Sequence, residues 1–164
     1  NVIRATGGLF LEVAEEVAKD YPEIEWNIEN VDATAMWLIK NPQSYDVIVT
    51  TNVFGDIISD ECAQLVGGMG VVASGNIGDS YALFEPTHGS APKYAGKNVV
   101  NPIATILATK MMFELLNLAR PAELIEKAVI KVLEEGKTLT YDLGGTSKTY
   151  EVAENIANKI KELA

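Results

Sequence analysis

Asp56 and Asp60, in the segment GDIISD, are the clearest pair of groups whose type and spacing could do chemistry. On a helix, a spacing of four residues sets both carboxylates on one face. Two like charges placed so destabilise a bare helix, and a divalent cation would offset them. A site built from carboxylates favours a hard ion, Mg²⁺ or Mn²⁺. Asp32, at an expected strand-to-helix junction, is a further candidate ligand. Asp56 and Glu61 could instead decorate a solvated helix start, where the helix dipole favours anions. Spacing alone leaves both readings open.

A second inventory lies in the loop His88-Gly89-Ser90-Ala91-Pro92-Lys93-Tyr94-Ala95-Gly96-Lys97, which holds the only histidine. Backbone N–H groups, small side chains, two lysines and an aromatic ring suit a nucleotide, with lysine taking a phosphate. The loop is not a P-loop. That pattern needs glycine at position 91, which is Ala, and Ser or Thr at position 98, which is Asn. Gly136-Lys137-Thr138 fails the same test at Lys131, and no G-x-G-x-x-G occurs. A polar surface loop with a lone histidine is the plainer alternative. Cys62 reads as a small buried thiol, and Trp26 and Trp37 as packing or interface residues.

The elements that must carry these groups alternate. Leu9, Val13 and Val17 predict an amphipathic helix over residues 8–19. Alternation over 24–31 predicts a half-exposed strand, and Asp32 could cap the helix that follows. The β-branched run 46–50 predicts a buried parallel strand, with a helix from about Asp56 to Leu65. Five glycines between Gly67 and Gly78 predict a loop, or a short strand bounded by loops. Residues 81–84 predict another strand. Pro102 and Pro121 open two helices, Gly136 ends the second, and a last helix covers about Thr149 to Leu163. The turn Tyr141-Asp142-Leu143-Gly144-Gly145 precedes it. The expectation is an α/β fold with mainly parallel pairing.

Composition sets outer bounds. The 164 residues are 48% hydrophobic and 22% charged, and the net charge is −10. That argues against a nucleic-acid surface. Residues 1–82 hold 13 acidic and 3 basic side chains; residues 83–164 hold 10 of each. The acidic excess thus lies in the half with Asp32, Asp56 and Asp60. No apolar run has the length of a membrane span. The single cysteine fits a reducing, cytoplasmic setting.

Taken together, NVFGDIISD, VGGMG…NIGD and FEPTHGSAPKYAGK…NP resemble the β-decarboxylating dehydrogenases of isocitrate, 3-isopropylmalate and homoisocitrate. The resemblance covers essentially the whole chain and its motifs fall in order. It implies an isopropylmalate dehydrogenase-like α/β fold of two domains. Residues 1–70 would belong to a small dimer-forming, metal-binding domain and 71–164 to a large cofactor-binding domain. It also implies oxidation of a small 2-hydroxy acid by hydride transfer to NAD(P)⁺. Decarboxylation follows, while Mg²⁺ or Mn²⁺ polarises the carbonyl oxygen. Asp56 and Asp60 match the helical metal ligands. Asp32 matches an aspartate that reaches the metal from the neighbouring subunit of a homodimer and shares in acid–base work. Glu85, His88, Gly89, Ser90, Ala91, Pro92, Lys93, Tyr94, Val100, Asn101 and Tyr141 match the cofactor segment.

Within the family, NAD users resemble HGSAP followed by aspartate. Here Lys93, Tyr94, Val100 and Tyr141 resemble the NADP type of isocitrate dehydrogenase, because lysine neutralises a 2′-phosphate. The bacterial NADP pattern has an arginine where this sequence has Gly145, and the DLGG ending is more like isopropylmalate dehydrogenases. Gly7 stands where the family has an acidic residue. The family's catalytic lysine would precede Asn1, and its substrate-binding arginines lie further upstream. The expected identity is therefore the C-terminal part of an NADP-linked isocitrate dehydrogenase, inactive by itself. The alternatives are the other two substrates, or a non-catalytic subunit of the same fold.

Overall fold

The computed structural model describes residues 3–164. The chain divides into two compact units, one ending at Cys62 and one running Ala63–Ala164. The division falls upstream of the 70/71 boundary expected from the resemblance.

The first unit carries α1 (Arg4–Ala18), α2 (Val31–Lys40) and the start of α3 (Asn52–Leu65). Asn30 occupies the cap position of α2, while Asp32 sits in its first turn, so Asp32 does not cap this helix. There its carboxylate faces the positive end of the helix dipole. The Thr34 hydroxyl lies 3.1 Å from the Asn30 carbonyl oxygen and 3.3 Å from Glu29 Oε2. These bonds tie the first turn of α2 to the segment before it. The strands expected at 24–31 and 46–50 do not form. Both segments lack a partner strand among the described residues, and a β-ladder needs one to satisfy its N–H and C=O groups. Their apolar side chains stay exposed, as at Val47, which is 82% exposed.

The second unit closes a core. A hairpin of β1 (Ala73–Ile77) and β2 (Ala82–Pro86) pairs antiparallel, with Ser74 opposite Glu85. It is the only sheet among the described residues, so the mainly parallel pairing expected from sequence is corrected here. Two strands joined by a four-residue turn can pair only antiparallel, because parallel strands need a long crossover. The hairpin packs against α4 (Ile103–Leu115), which opens after Pro102. Helix α4 packs in turn on α5 (Ala119–Glu135), and α5 on α6 (Thr149–Leu163). Ile103, Ile125, Ala128, Val129, Val132, Val152 and Ile156 form the buried cluster. Their helical spacing turns one face of each helix inward. Gly136 ends α5 at φ 62°. No helix among the described residues is long and apolar enough to cross a membrane.

Candidate metal and nucleotide sites

Helix α3 begins at Asn52, so Asp56 lies beyond its first turn. That removes the helix-start explanation, because the dipole's influence fades within one turn. Asp56 and Asp60 are exposed, lie four residues apart on one helix, and enter no ion pair among the described residues. Two hard oxygen donors with no counter-charge fit Mg²⁺ or Mn²⁺. Asp32 is exposed on α2. No three His, Cys, Asp or Glu side chains among the described residues gather closely enough to hold a metal ion. Within one chain, therefore, Asp32 does not complete the pair.

The nucleotide loop holds more of its expected residues together. Tyr94 sits in a 3₁₀ turn, Pro92–Tyr94, which follows Ala91 in the left-handed region at φ 41°. Tyr141 opens a second 3₁₀ turn, Tyr141–Leu143. The two rings lie 6.0 Å apart and tilted by 39°. Lys93 Nζ stands 4.9 Å from the Tyr94 ring centre, within cation–π range. The hydrogen bond with Tyr141 and the ammonium of Lys93 pull the Tyr94 phenol below the usual tyrosine range. The same hydrogen bond raises Tyr141, with loss of solvent a lesser cause. The fold thus brings Lys93, Tyr94 and Tyr141 into one polar cluster.

Beside it lies an open cleft of about 370 Å³, lined by Ser90, Ala91, Tyr94, Ala95, Gly96, Asn98, Val100 and Thr149. Ser90, Ala91, Tyr94 and Val100 were expected from sequence. Asn98 and Thr149 were not. Asn98 takes φ 54°, its carbonyl accepts the Thr149 N–H, and its Oδ1 accepts the Tyr150 N–H. Thr149 Oγ1 donates to the Val100 carbonyl at 2.6 Å. These bonds join the N-terminus of α6 to the far wall of the cleft. The one available signal was residue type, since asparagine tolerates left-handed backbone better than most residues.

Other expected residues stand apart or have protein partners. Glu85 lies on β2 and accepts from Asn76 Nδ2 at 3.3 Å. His88 Nδ1 donates to the neighbouring Gly89 carbonyl. Gly89 and Pro92 lead into the Tyr94 turn. Asn101 is 6% exposed; its Oδ1 accepts the Ile103 N–H and its Nδ2 donates to Asp142 Oδ2. A Cβ on Gly145 would fall onto the Leu139 carbonyl oxygen, so an arginine there needs the Leu139 backbone to move. Cys62 is partly exposed, not buried; what burial it has raises its thiol above the usual range.

A family model described as isocitrate/isopropylmalate dehydrogenase matches residues 1–156. The chain belongs to this family. It is 51% identical to 3-isopropylmalate dehydrogenase of Methanothermobacter thermautotrophicus, over 99% of this chain and 49% of that protein. It is 52% identical to homoisocitrate dehydrogenase of Methanocaldococcus jannaschii, over 99% of this chain and 46% of that protein. The crystal structure of isocitrate dehydrogenase from Methylococcus capsulatus superimposes with a TM-score of 0.92 at 47% identity. It covers 98% of this chain and 48% of that one. The isocitrate/isopropylmalate dehydrogenase fold class expected from the motifs is therefore established. The chain spans about half the length of the relatives it matches. Those relatives are β-decarboxylating dehydrogenases that differ in substrate.

Proposed function

We propose that this chain supplies the metal carboxylates and the adenosine-binding surface of an NADP⁺-linked isocitrate dehydrogenase. The cluster of Lys93, Tyr94 and Tyr141 beside the cleft carries the reading. A lysine and two phenols suit the 2′-phosphate that distinguishes NADP⁺ from NAD⁺. The cleft next to them has room for the adenosine. Asp56 and Asp60 would hold the divalent cation, and Asp32 of a second subunit would complete its ligands across a homodimer. When bound, the cation polarises the substrate oxygen and NADP⁺ accepts the hydride. In the overall reaction the 2-hydroxyl proton and the C2 hydride leave. The bond to the β-carboxylate then breaks, CO₂ departs, and the electron pair left on carbon is protonated. Asp32 is suited to move a proton at the substrate oxygen.

A second reading has its own support. Gly145 admits no side chain beside Leu139, which favours the sequence type that ends DLGG. On that reading the substrate is 3-isopropylmalate or homoisocitrate, and the cofactor NAD⁺. One assay separates the two. The intact enzyme is given isocitrate, 3-isopropylmalate and homoisocitrate with each cofactor, as wild type and as Lys93→Asp with Tyr94→Ile. The first reading expects isocitrate turnover with NADP⁺. It also expects the ratio of kcat/KM for NADP⁺ over NAD⁺ to fall about tenfold or more in the variant, the loss of a charged contact. An unchanged ratio overturns the phosphate site. Preference for another substrate overturns isocitrate.

A further inference from the structure

Asn101 and Asp142 are far apart in sequence, yet their side chains meet at 2.9 Å. Asn101 is nearly buried and spends both ends of its amide inside the protein. Its oxygen takes the Ile103 N–H, one of the donors that the start of α4 leaves open. Its nitrogen holds the Asp142 carboxylate. The third wall of this contact is Gly70. A Cβ there would stand 2.6 Å from Asp142 Oδ2 and 3.0 Å from Asn101 Cβ, so the pair closes only over a glycine. Three short pieces of backbone therefore meet at one hydrogen bond: the 3₁₀ turn Met69–Val71, the entry to α4, and the 3₁₀ turn Tyr141–Leu143.

The consequence lies one residue away. Tyr141 directly precedes Asp142, and Tyr94 belongs to the loop that ends at Asn101. Tyr141 is 53% exposed, so packing alone does not fix its ring. A hydrogen bond between a carboxylate and an amide in a half-buried setting is stronger than a neutral one. We propose that Asn101 and Asp142 are positioning residues, and that their hydrogen bond holds Tyr141 against Tyr94 and so shapes the phosphate end of the nucleotide site. The role in phosphate binding rests on the NADP⁺ reading above; the tether does not. Asp142 fits this role better than a direct contact, because a free carboxylate would repel a phosphate. Bound to Asn101, it faces a donor instead.

The test uses the full chain and reads the two phenols by ultraviolet titration, with Tyr94→Phe and Tyr141→Phe to assign them. In the wild type, Tyr94 titrates below the ordinary value of 10.0 and Tyr141 above it. Asp142→Ala should bring both back toward that value. Asp142→Asn keeps an acceptor for Asn101 but drops the charge, and should preserve the split. Gly70→Ala, which pushes on the carboxylate from the other side, should act like Asp142→Ala and serves if that variant does not fold. A split that survives both Asp142→Ala and Gly70→Ala overturns the tether. Loss of the split in Asp142→Asn also overturns it, since charge and not the bond would be the cause.

Binding of adenosine 2′,5′-bisphosphate and of adenosine 5′-monophosphate to the same proteins supplies the second readout. Asp142→Ala should weaken the bisphosphate about tenfold and leave the monophosphate within about twofold. Equal weakening of both overturns the link to phosphate recognition. A wild type with no preference for the bisphosphate overturns the NADP⁺ reading, while the titration still decides the tether.

Discussion

The two units differ in what they bury. In the second, each helix from α4 to α6 turns an apolar face inward, and Ile103, Val132, Val152 and Ile156 are all at most 1% exposed. In the first, Leu38 and Ile58 are the only buried apolar side chains among the described residues up to Cys62. Yet α1 keeps a regular apolar row at Leu9, Val13 and Val17, all exposed. Ile24, Trp26 and Ile28 repeat the pattern on an extended segment. Such periodicity marks faces made for burial. The second unit therefore contains the partners for its own pattern. The first displays a pattern whose partners are not among the described residues. The acidic excess follows the same division.

The sharpest way to break this contrast is to delete one apolar side chain in each unit. Ile156→Ala removes a fully buried side chain of α6 and should cost about 2–5 kcal/mol in urea unfolding followed by circular dichroism. Val13→Ala on the exposed row of α1 should stay within about 0.5 kcal/mol. Equal losses would mean that α1 is covered after all. A smaller effect comes from glycines. Gly145→Ala drives a Cβ into the Leu139 carbonyl and should destabilise by roughly 1–3 kcal/mol. Gly8→Ala in α1 meets nothing within 4 Å and should stabilise that helix by roughly 0.5–1 kcal/mol. Thermal unfolding of the two variants checks the opposite signs. A neutral Gly145→Ala would show that the Leu139 turn yields easily, and would reopen that position to larger side chains.

The same contrast explains what the sequence made legible. Helices α4, α5 and α6 were predicted within a few residues, because proline, glycine and apolar spacing agree with burial that the chain itself supplies. Pro102 and Gly136 mark real boundaries. The strands at 24–31 and 46–50 were misread because pairing is a property of two segments, and periodicity reports only one. The motif residues Lys93, Tyr94 and Tyr141 were legible by type, and their meeting was not, since it depends on two separate 3₁₀ turns. Asp142 reads only as part of a turn and Gly70 only as one of a run of glycines; that they meet at Asn101 was not legible. Nothing in a sequence says that a glycine is there to admit a hydrogen bond between two residues elsewhere. Asn101 was singled out for ligand binding, and the structure adds a structural use for its side chain. Thr140 is 1% exposed and its hydroxyl lacks a partner among the described residues; its hydrophilic type gave no hint of that burial.

The smallest effect concerns charge. In the second unit, Lys159 of α6 bridges Glu135 of α5 at 2.9 Å and Glu162 of its own helix at 3.2 Å. Lys159 holds the Glu135 carboxyl below its ordinary value of 4.5, and the two carboxylates raise Lys159. The sign follows from linkage. A carboxyl depressed by folding adds stability that is fully present above its unfolded value and is lost as pH falls through the folded one. The raised lysine adds stability that is present below its unfolded value and is lost as pH rises through its folded one. Lowering pH from about 5 to 3 should therefore reduce the melting temperature of the wild type more steeply than that of Lys159→Met. Salt should narrow the difference, since the pair is partly exposed. Parallel slopes would show that the bridge contributes nothing, as many surface pairs do. Buried apolar surface, and not this bridge, would then hold the second unit together.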